Sequence, residues 1–535
     1  MQNLLAAVTV LTLSTAQASV IHVDADNCPG PGNGSVAEPY CSIQTAIDNA
    51  VDMDEIVVAP GTYFEAINFL GKAITLRSSD GPEVTTIDGT GNFHVVQCVS
   101  DEGAHTVLSG FVITGGNANG GGDDDHGGGM VNNRGIPTVV NCTFSRNSAF
   151  SGGGMLNKAA HPMVINCTFT ANQVFDGVTF GTGGGMSNTD ASAPVVVNCR
   201  FVGNIGGSGA GMWNQQQSNP TVINCTFFGN GSSGMTSTSL SEPLVSNCIF
   251  WGNTVSQIAG VSLTTVRFSD VQGGFEGIGN IDADPLFVSA GNCCVFHFDS
   301  GCDDPDCVAA VCSVLPSCCD DFWAVECAEM AFDLCSACPN DIRLQPGSPC
   351  IDAGDNTAVP KNITTDLDGN PRFLEIPETP DTGKGTLPIV DMGAFESLGG
   401  GCLAVTSQEV VCHADGTTFT VSIEGLNACT GGTTQVTFTA SGGAVGEELC
   451  FTALVNDGGF CCSTEICVTI PDCAPAALPS DLNGDGIVGM VDFLALLGAW
   501  GSCSDCGTPQ ACPADFDGDC SVGILDLLVL LGNWG

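Results

Sequence analysis

Two stretches near the C-terminus carry the oxygen spacing that a hard cation needs. Asp481, Asn483, Asp485 and Asp492 stand at positions 1, 3, 5 and 12 of a twelve-residue loop, with the backbone carbonyl of Ile487 at position 7. Gly486, at position 6, permits the sharp turn such a loop requires. Thirty-four residues later Asp515, Asp517, Asp519 and Asp526 repeat the set, with Ser521 at position 7. Each loop runs into nearly the same apolar stretch, Phe493 to Gly501 and Leu527 to Gly535, expected to be helical. A lone loop of this kind also reads as a surface turn, but two with matching exits predict calcium binding at all ten residues.

The remaining chemistry is sparser. Asn188-Thr189-Asp190 and the acidic run Asp123-Asp124-Asp125-His126 offer carboxylates, and a pair of carboxylates across a cleft can act as acid and base. The acidic run lies in a Gly-rich stretch and reads more simply as a solvated loop. Arg134, Arg146, Arg200 and Arg267 are spread without a matching acidic set. Neither a nucleophile elbow nor a zinc-peptidase motif is present.

The elements that must position these residues announce themselves by repetition. Asn-Cys-x-Phe occurs five times, at Asn141–Phe144, Asn166–Phe169, Asn198–Phe201, Asn224–Phe227 and Asn247–Phe250. The steps between successive cysteines are 25, 32, 26 and 23 residues. Each copy has a Pro five residues before its Cys and an Asn three residues after its Phe, the latter being Asn147, Asn172, Asn204, Asn230 and Asn253. Alternation along a continuous strand predicts Val140, Cys142 and Phe144 on one face, and likewise Ile165/Cys167/Phe169 and its successors. Gly triplets before Met130, Met155 and Met186 predict sharp corners, and the Asn after each Phe is the next-best corner residue. A unit of this length without helical period fits one coil of a parallel β-helix.

These phrases resemble right-handed parallel β-helix proteins of the pectin-lyase-like superfamily, over roughly residues 20–397. Residues 41–50, with Ser42 as N-cap, resemble the helix that plugs the open core end in such proteins. Asp282–Phe287, Leu344–Gly354 and Val390–Glu396 resemble their terminal segment. The resemblance implies an all-β fold and a surface that meets polysaccharide. The family's hydrolases share an Asn-Thr-Asp, Asp-Asp, Gly-His-Gly, Arg-x-Lys series, of which only Asn188-Thr189-Asp190 is matched. Its lyases use an arginine base beside calcium-binding acids, and that set is not matched either. Residues 480–535 resemble the type I dockerin, which implies calcium-dependent folding and docking to a cohesin-like receptor. The departures are Met490-Val491 and Ile524-Leu525 at positions 10 and 11, where small polar residues are usual, and Cys520 at position 6 of the second loop, a candidate partner for Cys503, Cys506 or Cys512.

Composition sets the surroundings. The net charge is −47, with 11 Lys and Arg in 535 residues and none after Lys384. This excludes a nucleic-acid or anionic-lipid surface, which needs clustered cations. Residues 1–18, apolar and ending Ala16-Gln17-Ala18, read as a signal peptide, so the chain is expected outside the cell or on its surface. No stretch is long enough for a membrane span. Thirty-one cysteines agree with an oxidising compartment. Cys28 and Cys41 flank the capping helix and are candidates to pair. Cys98 and the five repeat cysteines read as small buried hydrophobes rather than bridges. Ten cysteines between 293 and 338 read as a disulfide framework, with a zinc site at His297 as the other reading. That block resembles inserts in planctomycete-type secreted proteins, and a helix is expected from Asp320 to Cys335.

The organisation expected is therefore a signal peptide (1–18), a parallel β-helix (19–397) with a cysteine-rich insert (291–340), a small β-sandwich (398–476) and a dockerin-like calcium-binding domain (477–535). The function expected is binding of glycans or surfaces without catalysis, the alternative being a polysaccharide lyase or glycoside hydrolase.

Overall fold

A computed structural model describes residues 18–535 apart from 29, 92–93, 120–125, 175–180, 261–262, 290–292, 294–299, 321–322, 324, 336–340, 375, 377–378, 398–402, 413–417, 428–432, 442–447, 458–459, 470–479, 481, 484–487, 504–511, 517–518 and 534–535. All but Ala18 of the expected signal peptide, and the acidic residues Asp123, Asp124 and Asp125, therefore fall outside the described residues. Two compact units are formed, Met1–Gly399 and Gly400–Gly535.

The first unit is a coil of three long parallel sheets, with a short fourth one of three strands, Asn117–Ala118, Ser148–Ala149 and Gln173–Val174. Sheet 1 has ten strands, from Val20–Val23 to Thr265–Arg267; sheet 2 has nine, from Gly61–Phe64 to Asp270–Val271; sheet 3 has eight, from Ile67–Asn68 to Ser256–Gly260. Register is strict: Phe144 pairs with Phe169, Phe169 with Phe201, Phe201 with Phe227 and Phe227 with Phe250. Their rings stack at 4.9, 4.7, 4.6 and 4.4 Å with planes within 4°. This is the inter-strand spacing imposed on side chains. Met130, Met155, Met186, Met212 and Met235 form a second buried column on sheet 3.

The expected alternation is broken at one residue per coil. Val139 is buried in the core and Val140 is not, yet Cys142 and Phe144 are buried as expected. The apolar run is two strands, Thr138–Val140 and Thr143–Ser145, with Asn141 between them at φ 52°. Asn166, Asn198, Asn224 and Asn247 repeat the left-handed turn at φ 50–56°. A single such residue swings the chain from sheet 1 to sheet 2 and resets the alternation. Val140, Ile165, Val197 and Ile223 consequently point outward.

The second asparagine of each phrase does not turn the corner. The left-handed residue there comes one position earlier, at Arg146, Ala171, Gly203, Gly229 and Gly252. Asn147, Asn172, Asn204 and Asn230 are instead fully buried and bonded rung to rung. Asn204 Oδ1 accepts from the backbone N–H and Nδ2 of Asn172, at 3.1 and 3.0 Å, while its Nδ2 donates to Phe169 O and Asn230 Oδ1. Asn132, Asn157, Asn188 and Asn214 make another buried row. The glycine triplets do turn, at Gly127, Gly152 and Gly183 with φ 67–77°. A Cβ on Gly153 would lie 2.6 Å from Gln173 O and 2.7 Å from Gly184 O, so glycine there also permits rung approach.

Helix Ile43–Asn49 closes the core end, burying Ile43, Ala46 and Ile47, with Ser42 as N-cap. Glu65 reinforces the cap, accepting from Ile43 N at 2.8 Å and Gln44 N at 2.9 Å. Cys28 and Cys41 are bonded, whereas Cys98, Cys142, Cys167, Cys199, Cys225 and Cys248 are free and buried. The insert leaves and re-enters through an antiparallel pair, Phe287–Ser289 with Asp341–Leu344. Four disulfides hold its described part: 293–302, 307–335, 312–319 and 318–327. Those thiols are unavailable to zinc, and His297, Cys294 and Cys338 lie outside the described residues. Its helix begins at Val325 rather than Asp320; Trp323 precedes it, fully buried, donating to Cys293 O at 2.8 Å. Residues 350–397 then fold back along the coil as a clasp, covering Val197 and Ile223 with Val359, Ile363 and Val390.

In the second unit, Leu403–Cys412, Thr418–Asn427 and Thr433–Ser441 form one antiparallel sheet and Glu448–Asp457 with Phe460–Thr469 another. These five strands lie within the stretch expected to form a β-sandwich.

The buried asparagine rows are obligatory hydrogen-bond partners of their neighbours. Replacing Asn204 by Ala removes four buried hydrogen bonds, and should destabilise the coil by about 3 kcal/mol or more. The check is the guanidinium midpoint of Asn204→Ala against the unaltered protein; an unchanged midpoint would contradict this role.

Candidate functional site

The two acidic loops have the same local design. Gly489 and Gly523 precede helices Met490–Gly498 and Ile524–Gly532 with nearly identical extended backbones, φ −139°, ψ −156° and φ −140°, ψ −156°. The helices thus start three residues before the expected Phe493 and Leu527, which puts Asp492 and Asp526 in the first turn. There a carboxylate is favoured by the exposed N–H groups. Asp492 accepts from Leu482 N at 2.8 Å, Asn483 N at 3.1 Å and Gly489 N at 2.8 Å. These bonds, that from Gly489 foremost, hold its carboxyl below the ordinary range. Asp526 accepts likewise from Phe516 N at 2.6 Å and Gly523 N at 2.8 Å.

Within the second loop Asp515 accepts from Asp519 N and Cys520 N, and Asp519 accepts from Ser521 N. Cys520 adopts φ 69°, in the left-handed region that glycine favours. It is free and exposed, and Cys503 is bonded to Cys512. Of the ten expected ligands, Asn483, Asp492, Asp515, Asp519, Ser521 and Asp526 are described, while Asp481, Asp485, Ile487 and Asp517 are not. The left-handed backbone at Cys520 is what the sixth position of a calcium loop requires. At positions 10 and 11, Met490, Val491, Ile524 and Leu525 are all more than half exposed.

The coil itself carries two cavities. The first, about 470 Å³, lies on the outer face of sheet 3. Val131 and Leu156, outward neighbours in register, form its floor. Gln97, Asn133, Thr189, Gln215 and Gln216 supply amides and a hydroxyl, and His94, His126, Lys158 and Asp190 complete it. His94 Nδ1 is 3.0 Å from Gly127 O. Of Asn188-Thr189-Asp190, Asn188 belongs to a buried row and cannot touch a ligand, while Thr189 and Asp190 line the cavity. Asp190 is the one carboxylate among its described lining residues. Arg134, Arg146, Arg200 and Arg267 do not reach it. Arg134 approaches Asp101 in the open, and Arg200 lines the second cavity.

That second cavity, about 430 Å³, lies between sheet 2 and the clasp. The clasp is held by buried charges. Arg372, fully buried, lies 3.6 Å from Glu396 and donates to Gly393 O at 2.6 Å. Asp391 accepts from Asp352 N at 2.8 Å and Ser397 N at 2.6 Å. Burial nonetheless dominates and pushes the Asp391 carboxyl up to about 7, and that of Glu396 upward too. The sequence marked Leu344–Gly354 and Val390–Glu396 as a terminal segment but gave no sign that Asp352, Arg372, Asp391 and Glu396 are buried together.

A coil of parallel strands with a polar cleft on one sheet and a clasp across the others defines a right-handed parallel β-helix protein. The family model described as "Right handed beta helix region" matches residues 74–273. None of the curated proteins matches the chain. Among solved structures, pectate lyase Pel9A is 16% identical with a TM-score of 0.35, covering 71% of this chain and 97% of its own. A pectin methylesterase in complex with a hexasaccharide is 10% identical with a TM-score of 0.30, covering 49% and 91%. Pectin methylesterase from carrot is 14% identical with a TM-score of 0.25, covering 49% and 77%. No helix among the described residues is long and apolar enough to cross a membrane.

The clasp yields a pH dependence. Asp391 titrates higher in the fold than its ordinary 3.8, so its stabilising contribution is complete below that value and is lost as pH rises through about 7. Amide hydrogen exchange at residues 393–397, corrected for intrinsic rate, should be faster at about pH 8.5 than at about pH 5.5. Asp391→Asn should flatten the difference.

Proposed function

We propose that this is a secreted or cell-surface β-helix protein that binds glycan without cleaving it and carries a calcium-dependent attachment module. The observation that carries the binding reading is the sheet 3 cleft. Its apolar floor and its rim of amides and hydroxyl suit a sugar, which offers C–H faces to the one and paired donor–acceptor hydroxyls to the other. Its volume lies in the range of ligand sites. Hydrolysis of a glycosidic bond asks for two carboxylates, and the described lining supplies Asp190 alone. The attachment reading rests on the paired loops and on the apolar pairs Met490-Val491 and Ile524-Leu525, exposed where a protein partner would sit. A cohesin-like receptor is the partner implied by resemblance, though this surface favours an apolar-faced variant of it.

The test is a screen of the full chain against pectate, alginate and related glycans, with and without calcium, reading both retention and cleavage. Retention without cleavage, lost in Gln216→Ala or Asn133→Ala, is expected. Reproducible cleavage abolished by Asp190→Ala would establish the lyase or hydrolase alternative instead. For calcium, titration of the full chain should show two sites. The double variant Asp492→Ala/Asp526→Ala should lose both, and absence of binding at millimolar calcium would refute the assignment.

A further inference from the structure

Two of the protein's 11 basic side chains converge on the second cavity, Arg200 from the coil and Arg343 from beyond the insert. Thr143, Thr168 and Arg200 lie in one register row across three neighbouring strands of sheet 2 and form its floor. Thr365, Leu367, Asp368 and Phe395 of the clasp form its far wall.

The two guanidinium groups are compensated unequally. Arg343 bonds Asp368 through Nε and Asp341 through Nη1, and its charge sits 5.5 Å over the Phe395 ring. Arg200 donates Nε to Thr168 Oγ1 at 3.0 Å and makes no ion pair within 4.0 Å among the described residues. Burial lowers its pKa and Arg343 adds to this, while Asp368 and Asp341 counter it from beyond contact distance, and Glu83 also lines the cavity. Its guanidinium is thus left without a carboxylate in direct contact, and an open fork of that kind is what an oxyanion pairs with.

The asparagine corners point the same way. Asn198, Asn224 and Asn247 donate Nδ2 to oxygens that the clasp lays over them, Thr365 O at 2.7 Å, Asp391 O at 3.0 Å and Asp355 O at 3.1 Å. Asn141 and Asn166 continue that row beyond the clasp and border the cavity. Where the clasp ends, the same kind of donor is left for another oxygen.

We propose that this cavity is an oxyanion site, in which a carboxylate, sulfate or phosphate group pairs with Arg200 and is flanked by Thr143, Asn141 and Asn166. The site is separate from the sheet 3 cleft and stands or falls independently of glycan binding there.

The test uses the full-length protein at constant ionic strength, titrated with acetate, sulfate and inorganic phosphate against chloride. At least one oxyanion should bind with unit stoichiometry and slow hydrogen exchange at residues 365–369. Arg200→Gln should weaken binding roughly tenfold or more, and Arg200→Lys, which keeps charge but loses the fork, by less. Arg134→Gln, an exposed cation elsewhere, should change nothing. Preference for acetate assigns a carboxylate ligand; preference for sulfate or phosphate assigns a tetrahedral ester. The proposal is overturned if no oxyanion outdoes chloride, or if Arg200→Gln binds as the unaltered protein does. Should Arg200→Gln fail to fold, exchange at 365–369 in the unaltered protein decides alone: unchanged rates with every oxyanion overturn it.

Discussion

Everything in the coil depends on one backbone constraint, the left-handed turn at the first asparagine of each repeat. Asn tolerates positive φ better than any residue except glycine, and here it does so five times within 50–56°. Because that residue belongs to neither strand, the alternation restarts after it. Val139 closes one sheet inward and Cys142 with Phe144 opens the next inward. Glycine would satisfy the dihedral but not the surface, since Asn198, Asn224 and Asn247 use their side chains to grip the clasp. The same residue therefore bends the coil and holds what covers it.

The interior follows from stacking at one spacing. Identical side chains must accept a neighbour of the same kind above and below. Phenylalanine does so by parallel rings, methionine by its flexible chain and cysteine by its small size. Asparagine does so because it carries a donor and an acceptor, so within a row each rung satisfies the next. Burial holds the thiols of Cys98 and Cys142 well above their ordinary range, and a thiol that cannot ionise neither attacks nor ligates.

What could be read from the sequence was what is local or repeated: the period, the apolar columns, the Gly corners, the N-terminal cap and the pairing of Cys28 with Cys41. What could not be read needed three dimensions. A single αL residue inside an apolar run looks like an ordinary strand position, so Val140 was placed inside when it faces outward. Asn147 and Asn141 have the same composition and opposite roles, because one sits just after a corner and the other is the corner. The insert's helix was extended through Trp323 because an aromatic at helical spacing reads as a helix face, whereas Trp323 is a buried anchor ahead of it. Arg200 and Arg343 stand far apart in the chain with a whole insert between them, and only the return of the clasp brings them to one cavity.

This division explains why the repeat says so little about function. A rung residue must suit the rungs on both sides, so the positions that repeat are committed to packing and cannot specialise. Recognition can arise only where repetition lapses: on outward faces such as Gln97 and Lys158, where clasp and coil meet at Arg200, and in the C-terminal loops. Asn188 and Asp190 show the boundary at its narrowest. Two residues apart, one is locked in a buried amide row and the other turns at φ 57° into a cleft. The left-handed backbone that shapes the coil's corners is thus also what frees a carboxylate from the coil and aims it at solvent.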